Sequence, residues 1–281
     1  MKRTKKIIAT LLAMLTIGTN AIAQGSFETH DYGTFKLHVY YSNDVMADAS
    51  YIIEGKDSLI TLEQPLFKNN VQQYDEYLAK LGKPVEVRIT DYHLGGTGNN
   101  EIVMAEGMSK FVDEGAYAAM MKGFAQSFGD KIVALPTGKR TKIPFNSTQT
   151  WNGITFEFRH GSTSDFPAAS ILIGKRVYFT HWAPSKSHMS YLQLSSPKAI
   201  DAELTETKKA IKSGATLFIG GHGGANDKTA AQFKIDYLKT LKKLMKQNRT
   251  PQALADAMRK TYPNLPGAEG LEQLTKTLYA K

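Results

Sequence analysis

The chain has 281 residues, a length typical of one large domain or two small ones. Hydrophobic residues make up 42% and charged residues 22%, a balance that excludes a disordered chain and a protein with many membrane spans. The formal net charge is +9, and cysteine is absent, which excludes disulfides, a thiol nucleophile and metal sites with thiolate ligands. Stability therefore has to come from a packed core.

The first 23 residues have the pattern of a secretory signal peptide. Residues 1–6 carry four positive charges, residues 7–17 form an apolar run, and Ala21-Ile22-Ala23 offers small residues where a signal peptidase recognises them. The apolar run is short for a bilayer span, so an uncleaved membrane anchor is the less favoured alternative. We therefore expect residues 24–281 to form a single exported domain, periplasmic or secreted in a bacterium, with no membrane contact after cleavage.

Short apolar alternations and one helical repeat organise the first half of the mature chain. Alternating apolar residues predict strands over residues 35–39 and 85–89, and residues 49–62 predict a hairpin. The apolar residues of 71–81 share one helical face, and Gly82 is placed to end that helix. This half therefore combines a sheet with at least one amphipathic helix.

The second half alternates predicted strands with predicted amphipathic helices. The predicted strands are residues 132–135 and 154–159, a hairpin over residues 170–180, and residues 216–219. The predicted helices are residues 114–127, 203–213 and 233–244, and a last one that begins at Thr250-Pro251. Strands in runs, separated by helices in each half, predict sheets at the centre of the protein with helices outside them.

A cluster of lysines near the C-terminus holds much of the positive charge. Removing the four charges of residues 1–6 lowers the net charge from +9 to +5, and six basic residues lie between Lys234 and Arg249. Phe233, Tyr237 and Leu241 recur there at helical spacing, so we expect most of these lysines on the solvated face of an amphipathic helix. Nucleic-acid binding is disfavoured, because the chain has no aromatic-basic module and an exported protein rarely meets nucleic acid.

Four of the seven histidines follow predicted strands: His93, His160, His181 and His222. If these strands end at one rim of a layered sheet structure, the four imidazoles and Asp91 converge there. Neutral imidazoles with a carboxylate are the ligands that zinc prefers when no thiolate is present. A single histidine at a strand end is more often a surface or hydrogen-bonded residue, and the other three histidines are interpreted in that way.

Two glycine-rich segments, residues 95–98 and 220–224, adjoin candidate ligands. Neither has the Gly-Lys-Ser/Thr ending of a phosphate-binding loop, and neither completes a dinucleotide-binding fingerprint. The chain also contains no Gly-x-Ser-x-Gly motif of the serine hydrolases. We interpret the glycines as tight turns that let the backbone approach a site closely.

The order of these elements resembles the metallo-β-lactamase superfamily from about Tyr51 to the C-terminus. Residues 49–55 look like the opening strand of that family. The predicted helix of residues 71–81, residues 82–84 and the strand that follows to Thr90 together look like the lead-in to its first metal motif. Residues 161–165 are similar to its second motif, and residues 221–223 match its last ligand motif. The resemblance implies an α/β fold, a four-layer αβ/βα sandwich with the metal site at one rim, and hydrolase chemistry.

The sequence departs from this family at most of the metal ligands. The first family motif is His-x-His-x-Asp-His, and the aligned run is Asp91-Tyr92-His93-Leu94-Gly95-Gly96. The second-motif histidine falls on Ser162, two residues after His160, and the bridging aspartate falls on Trp182, beside His181. The resemblance therefore implies at most one metal ion. The candidate metal ligands are His93, His222, Asp91, His160 and His181, and the candidate pocket residues are Tyr92, Ser162 and Trp182.

Two functional hypotheses stay open at this point. The first is an exported hydrolase with one zinc ion, whose bound water attacks an ester, lactone or amide, and in which Asp91 serves as a ligand or as the catalytic general base. The second is a metal-free pseudoenzyme that keeps the fold and binds a small molecule at the same rim. A dizinc β-lactamase is disfavoured, because these residues do not assemble its cluster. The sequence indicates no oligomeric state.

Overall fold

The first half of the chain forms a seven-stranded mixed sheet whose spatial order follows the sequence. The computed structural model describes residues 25–96, 101–134, 136–162 and 166–280. The predicted signal peptide, Leu135 and the motif residues 97–98 and 163–165 lie outside the described residues. The strands are β1 Ser26–Asp31, β2 Lys36–Tyr41, β3 Ala49–Glu54, β4 Leu59–Leu62, β5 Val85–Ile89, β6 Ile102–Ala105 and β7 Arg140–Ile143. β1 to β4 pair antiparallel, whereas β5, β6 and β7 add in parallel.

The second half forms a six-stranded sheet with the order β13-β12-β11-β10-β9-β8. Its strands are β8 Ser147–Trp151, β9 Ile154–His160, β10 Ala169–Ile173, β11 Val177–Trp182, β12 Leu217–His222 and β13 Ala225–Asp227. β11 and β12 form the parallel pair, with Trp182 opposite His222, and the other neighbours are antiparallel. Because parallel strands end at the same edge, this pairing places His181 and His222 together.

The two sheets pack face to face over the main hydrophobic core. Leu37, Val39 and Tyr51 of the first sheet are fully buried against Phe156 and Phe179 of the second. The neighbouring residues in each strand point to the opposite face, as the two-residue period of a strand requires. Each sheet therefore has a second apolar face that helices cover.

The described residues contain seven α-helices, which lie on both outer faces of the sheet pair. They are α1 Lys68–Leu81, α2 Glu106–Asp113, α3 Ala116–Phe128, α4 Pro197–Lys212, α5 Lys228–Gln247, α6 Pro251–Thr261 and α7 Leu271–Tyr279. Tyr74 of α1 packs on Tyr40 and Ile52 of the first sheet. Ala231 of α5 packs on Phe218 of the second, together with residues of α4. The predicted four-layer αβ/βα sandwich is confirmed.

Most predicted elements are present, and the differences have local causes. The helix predicted over residues 71–81 ends at Gly82, which adopts the left-handed conformation with φ of 67°. The helix predicted from residue 114 begins at Ala116, and the additional helix α2 precedes it. The strand predicted over residues 132–135 is wrong for its described part, because Ile132 makes only an isolated bridge with Phe67.

The lysine-rich helix α5 has one residue on an unexpected face. Lys239, Lys243 and Lys246 are exposed, as predicted for the solvated side of an amphipathic helix. Lys234 is instead buried, with 3% of its surface exposed, because it forms an ion pair inside the protein. Among the described helices, none combines the length and apolar character needed to cross a membrane.

Candidate metal centre

Three of the predicted histidine ligands meet at one rim of the sandwich. His93 lies in the segment after β5, His181 is the penultimate residue of β11, and His222 is the last residue of β12. One ring nitrogen of each histidine lies within 4.8 Å of those of the other two. His181 is buried, and His93 and His222 are partly exposed. The prediction that strand ends bring imidazoles together is confirmed for these three residues.

Aromatic packing holds the three imidazole rings in place. The ring of Tyr92 stacks on His181 at a centroid distance of 4.4 Å and an interplanar angle of 7°. The indole of Trp182 stacks on His222 at 4.4 Å and 26°. The His93 and His222 rings meet edge to face at 4.6 Å. Two of the predicted pocket residues, Tyr92 and Trp182, therefore form walls of the histidine cluster.

Asp48 is a buried carboxylate beside two of the histidines. Its Oδ1 lies 3.1 Å from Nδ1 of His222 and 3.9 Å from Nδ1 of His93. Burial raises the pKa of Asp48, but the neighbouring charges of His93 and His222 outweigh burial and hold it below its usual value. The carbonyl of Met46 also lies 3.1 Å from Nδ1 of His222. A proton on that Nδ1 leaves Nε2 as the nitrogen with a lone pair for a metal.

Glu63 holds the backbone of the segment that carries His93. Its Oε1 accepts the N–H groups of Asp91 and Tyr92 at 2.7 and 3.1 Å, and its Oε2 accepts the N–H of His93 at 2.6 Å. Oε2 also lies 3.5 Å from Nδ1 of His93. Burial raises the pKa of Glu63 to about 7. The three N–H donors favour the ionised form and lower the pKa, but burial outweighs them. Asp48 and Glu63 are thus the two carboxylates placed to orient the imidazoles.

The glycine before His222 leaves room for the ring of His93. A Cβ atom on Gly221 would lie 2.8 Å from Cε1 of His93, closer than atoms of this kind approach each other. A side chain at this position would displace the imidazole. The interpretation of this glycine segment as a close approach to a site is therefore confirmed at Gly221.

Asp91 lies outside the histidine group, although it was a predicted ligand and catalytic base. Its Oδ2 accepts the N–H of Ala169 at 2.8 Å, and its Oδ1 accepts the N–H of Ala105 at 3.3 Å. The side chain is fully buried, and burial, together with the charge of Glu63, raises the pKa of Asp91 well above its usual value. Ala105 ends β6 and Ala169 begins β10, so the carboxyl group of Asp91 joins the two sheets.

We expect the Asp91→Asn variant to lose stability rather than metal. An asparagine amide offers one acceptor oxygen where two backbone N–H groups need acceptors, so one buried donor loses its partner at a cost of about 1–3 kcal/mol. Urea denaturation measures the loss, with the exposed Asp236→Asn as the control. An Asp91→Asn protein of unchanged stability that no longer binds metal would return Asp91 to the ligand set.

The remaining predicted site residues occupy other places. His160, a predicted ligand, is exposed, and its ring stacks on Phe145 at 3.9 Å, outside the group of three histidines. Ser162, a predicted pocket residue, lines a cavity on the outer side of β11 together with Thr180, Trp182 and the triad residue His181. The structure therefore brings His93, His181 and His222 together and leaves Asp91 and His160 apart from them.

Sequence reasoning missed Asp48 and Glu63, the two carboxylates at the rim. Asp48 directly precedes β3, and Glu63 directly follows β4. Glu63 follows the end of a strand as the histidines do, so the same pattern, extended to acidic residues, indicates Glu63. No sequence signal pairs Asp48 with His222, because 174 residues separate them and the contact exists only in the folded sheet pair.

Comparisons with known proteins identify the architecture. No family model matches the chain, and no curated protein sequence matches it. Among solved structures, the metallo-β-lactamase DIM-1, in a crystal exposed to ceftazidime, matches with a TM-score of 0.50 and 12% identity over 79% of this chain and 99% of that one. The chain has the metallo-β-lactamase fold.

Two further structures support this assignment. VMB-1 matches with a TM-score of 0.53 and 11% identity, over 76% of this chain and 97% of that one. A mutant flavo di-iron protein from Thermotoga maritima matches with a TM-score of 0.51 and 10% identity, over 85% and 71%. At these identities the likeness establishes the metallo-β-lactamase fold and not the chemistry, which has to be argued from the residues of the rim.

Proposed function

We propose that the protein is an exported hydrolase that binds one divalent metal ion, zinc by preference, through His93, His181 and His222. The observation that carries the proposal is the approach of three ring nitrogens, from three separate segments, to within 4.8 Å of one another. A tetrahedral zinc ion with Zn–N bonds of 2.0–2.1 Å places its nitrogen ligands about 3.4 Å apart.

The surroundings of the three imidazoles fit a metal site. Metal-bound histidines usually donate their second ring N–H to a carboxylate or a carbonyl, and Asp48, Glu63 and the Met46 carbonyl lie beside Nδ1 of His222 or His93. Three neutral imidazoles without a thiolate suit zinc better than magnesium or calcium. Histidine ligands and nearby carboxylates therefore support zinc as the ion.

The proposal is limited to one ion. The two positions that would carry the Asp-His pair of a second site are Gly95 and Gly96, which have no ligand atoms in their side chains. Within the described residues, the histidine triad is the group of three or more that could hold a metal. The fold is the one found in DIM-1, but a dizinc centre does not follow from these residues.

His93, His181 and His222 would hold the ion, which when bound would supply a coordinated water of lowered pKa, about 7, and a Lewis acid for a carbonyl group. The residues of this chain have supporting roles in such a reaction. Asp48 orients His222, Glu63 fixes the segment that carries His93, and the rings of Tyr92 and Trp182 limit movement of His181 and His222. We propose an ester, lactone or amide as the substrate, because each presents a carbonyl carbon to attack.

A metal-free small-molecule binding protein is the second candidate. Trp182 stands at the position that the family resemblance assigns to the bridging aspartate, and its indole stacks on His222 at 4.4 Å. An aromatic wall at that place suits a pocket for a flat apolar ligand as well as it suits a metal site. The two candidates differ in whether the triad binds metal.

Metal content and metal binding separate the two candidates. The mature chain, purified from Gln24 without a chelator or a histidine tag, is analysed for zinc, iron and manganese and then titrated with zinc by calorimetry. We expect about one zinc per chain and a higher melting temperature with zinc, because a ligand that binds only the folded state stabilises it. Absence of bound metal, with no heat and no thermal shift on adding zinc, would contradict the hydrolase proposal and favour the metal-free candidate.

A further inference from the structure

We infer that Lys234, held by Glu203, is a positioning residue that fixes the metal-binding ends of β11 and β12 from the helical layer behind them. The inference rests on the proposed function, because it concerns the geometry of the proposed ligands His181 and His222. It is carried by an ion pair that lies between the second sheet and the helices α4 and α5, on the side of the sheet that faces away from the main core.

The ion pair is almost completely buried. Lys234 of α5 is 3% exposed and Glu203 of α4 is 4% exposed, and Nζ lies 2.6 Å from Oε2. The amide of Gln193 donates a further hydrogen bond to the same Oε2 at 3.3 Å. Moving two charges out of water is costly, and apolar residues of similar size usually give equal or greater stability. Stability alone therefore does not account for a lysine at this position.

The ammonium group of Lys234 is connected to the metal centre by one carbonyl. Nζ donates to the backbone oxygen of Trp182 at 3.2 Å, and Oγ1 of Thr180 donates to the same oxygen at 3.1 Å. Trp182 follows His181 directly, pairs with His222 in the strand register and stacks its indole on the His222 ring. Movement of this carbonyl would therefore shift two of the three proposed ligands.

The end of β11 needs such support, because its regular pairing stops there. Trp182 and His222 are the last residues of their strands, and beyond them the N–H of Ala183 donates to the His222 carbonyl at 3.0 Å. At Phe218 and Ala231, on the same face, the contact between sheet and helix is apolar. A polar contact at the rim fixes the direction of the Trp182 carbonyl. Apolar packing fixes a backbone direction less specifically.

A second buried carboxylate in the same cavity provides a matched control. Glu206, also in α4, accepts hydrogen bonds from the hydroxyl groups of Ser170 and Tyr178, the latter at 2.8 Å. These contacts lie on the same face of the sheet but involve neither Trp182 nor Lys234. The Glu206→Gln variant thus disturbs the cavity without touching the carbonyl that leads to the ligands.

The test replaces the whole ion pair and measures zinc affinity. In the Lys234→Met/Glu203→Met protein no charge is left buried alone, so we expect it to fold with a melting temperature of the metal-free form within a few degrees of wild type. Zinc affinity, measured by competition with a chromophoric chelator, is expected to fall about 10–100-fold, the usual effect of losing a group that orients metal ligands. The absorption spectrum of the cobalt-substituted protein is expected to change as well.

If the methionine pair does not fold, Lys234→Gln/Glu203→Gln replaces it. This pair keeps polar groups in the cavity, but the glutamine at position 234 is one bond shorter than lysine and stops short of the Trp182 carbonyl. The expected loss of zinc affinity is the same, and Glu206→Gln is expected to bind zinc like the wild type. Wild-type zinc affinity and an unchanged cobalt spectrum in the pair variants would overturn the inference.

A nuclear magnetic resonance measurement on the metal-free protein tests the role of Lys234 separately from zinc binding. The chain has two tryptophans, so the indole N–H resonance of Trp182 is assigned in a Trp151→Phe background. We expect it to shift in the pair variants and to stay in place in Glu206→Gln, because the indole stacks on His222. A wild type that binds no zinc would refute the metal site, and an indole resonance unmoved in the pair variants would refute the positioning role of Lys234.

Discussion

Replacement of Glu63 by alanine is expected to destabilise the protein by about 3 kcal/mol or more, because each buried N–H group that loses its acceptor costs about 1–3 kcal/mol. The carboxylate of Glu63 accepts three such groups, from Asp91, Tyr92 and His93. The segment after β5 would lose the contacts that fix its path. We therefore expect zinc affinity to fall as well, because His93 is carried by that segment. Urea denaturation of the metal-free protein measures the first effect and zinc titration the second.

Two further variants give the scale for the loss of stability in Glu63→Ala: Glu63→Gln and the substitution of a surface glutamate. Glutamine keeps one acceptor oxygen, so we expect Glu63→Gln to lose less stability than Glu63→Ala. Glu76 of α1 is exposed and bonds to Gln72 within its own helix, so Glu76→Ala is expected to stay within about 0.5 kcal/mol of wild type. A Glu63→Ala protein as stable as the Glu76→Ala protein would show that the three N–H groups do not depend on Glu63.

Replacement of His181 by alanine is expected to weaken zinc binding by more than about 100-fold, beyond the 10–100-fold typical of groups that only orient ligands. His181 is one of the three residues whose ring nitrogens meet, and two histidines alone form a much weaker site. The same loss is expected for His93→Ala and for His222→Ala. Zinc competition measurements on the folded proteins give the ratio of affinities directly.

His160→Ala is the matched control for these variants. His160 was predicted as a ligand from the same strand-end pattern, but its ring stacks on Phe145 outside the triad. We expect His160→Ala to bind zinc as tightly as the wild type. Equal losses in His160→Ala and His181→Ala would mean that the ligand set differs from the triad, and retained binding in His181→Ala would remove that residue from the site.

Much of the architecture was predictable because the sequence patterns are local. The apolar alternation of residues 85–89 and the helical repeat of residues 71–81 each match one element with nearly the predicted bounds. The pairing of His181 with His222 was predictable for a related reason, since neighbouring parallel strands end at the same edge, whereas His93 follows β5 of the other sheet. The helix α2 was not predicted, because its eight residues are too short for a clear repeat.

The role of Asp91 was not predictable from spacing. In an extended chain, residues two apart such as Asp91 and His93 would lie on the same side. β5 ends at Ile89, and the chain bends at Asp91 and Tyr92. The two side chains therefore diverge, and the carboxyl group of Asp91 reaches the backbone of Ala105 and Ala169 instead.

The supporting charges were not predictable either, because each depends on a partner distant in sequence. Glu63 adopts the left-handed conformation with φ of 60°, unusual for a residue with a long side chain, and this turns its carboxylate toward residues 91–93. Lys234 lies on the buried stripe of α5 with Ala231, Leu238 and Leu241, and its ammonium group binds Glu203 and the Trp182 carbonyl. Neither contact leaves a local signature in the sequence.

X-ray absorption spectroscopy of the zinc-loaded mature protein tests the central claim most directly. The three-histidine site predicts three imidazole nitrogens at 2.0–2.1 Å from the zinc, completed by one light oxygen or nitrogen ligand, and loss of one imidazole contribution in His181→Ala but none in His160→Ala. A zinc shell made mainly of carboxylate oxygens, or a spectrum unchanged by His181→Ala, would contradict the assignment of the metal to His93, His181 and His222.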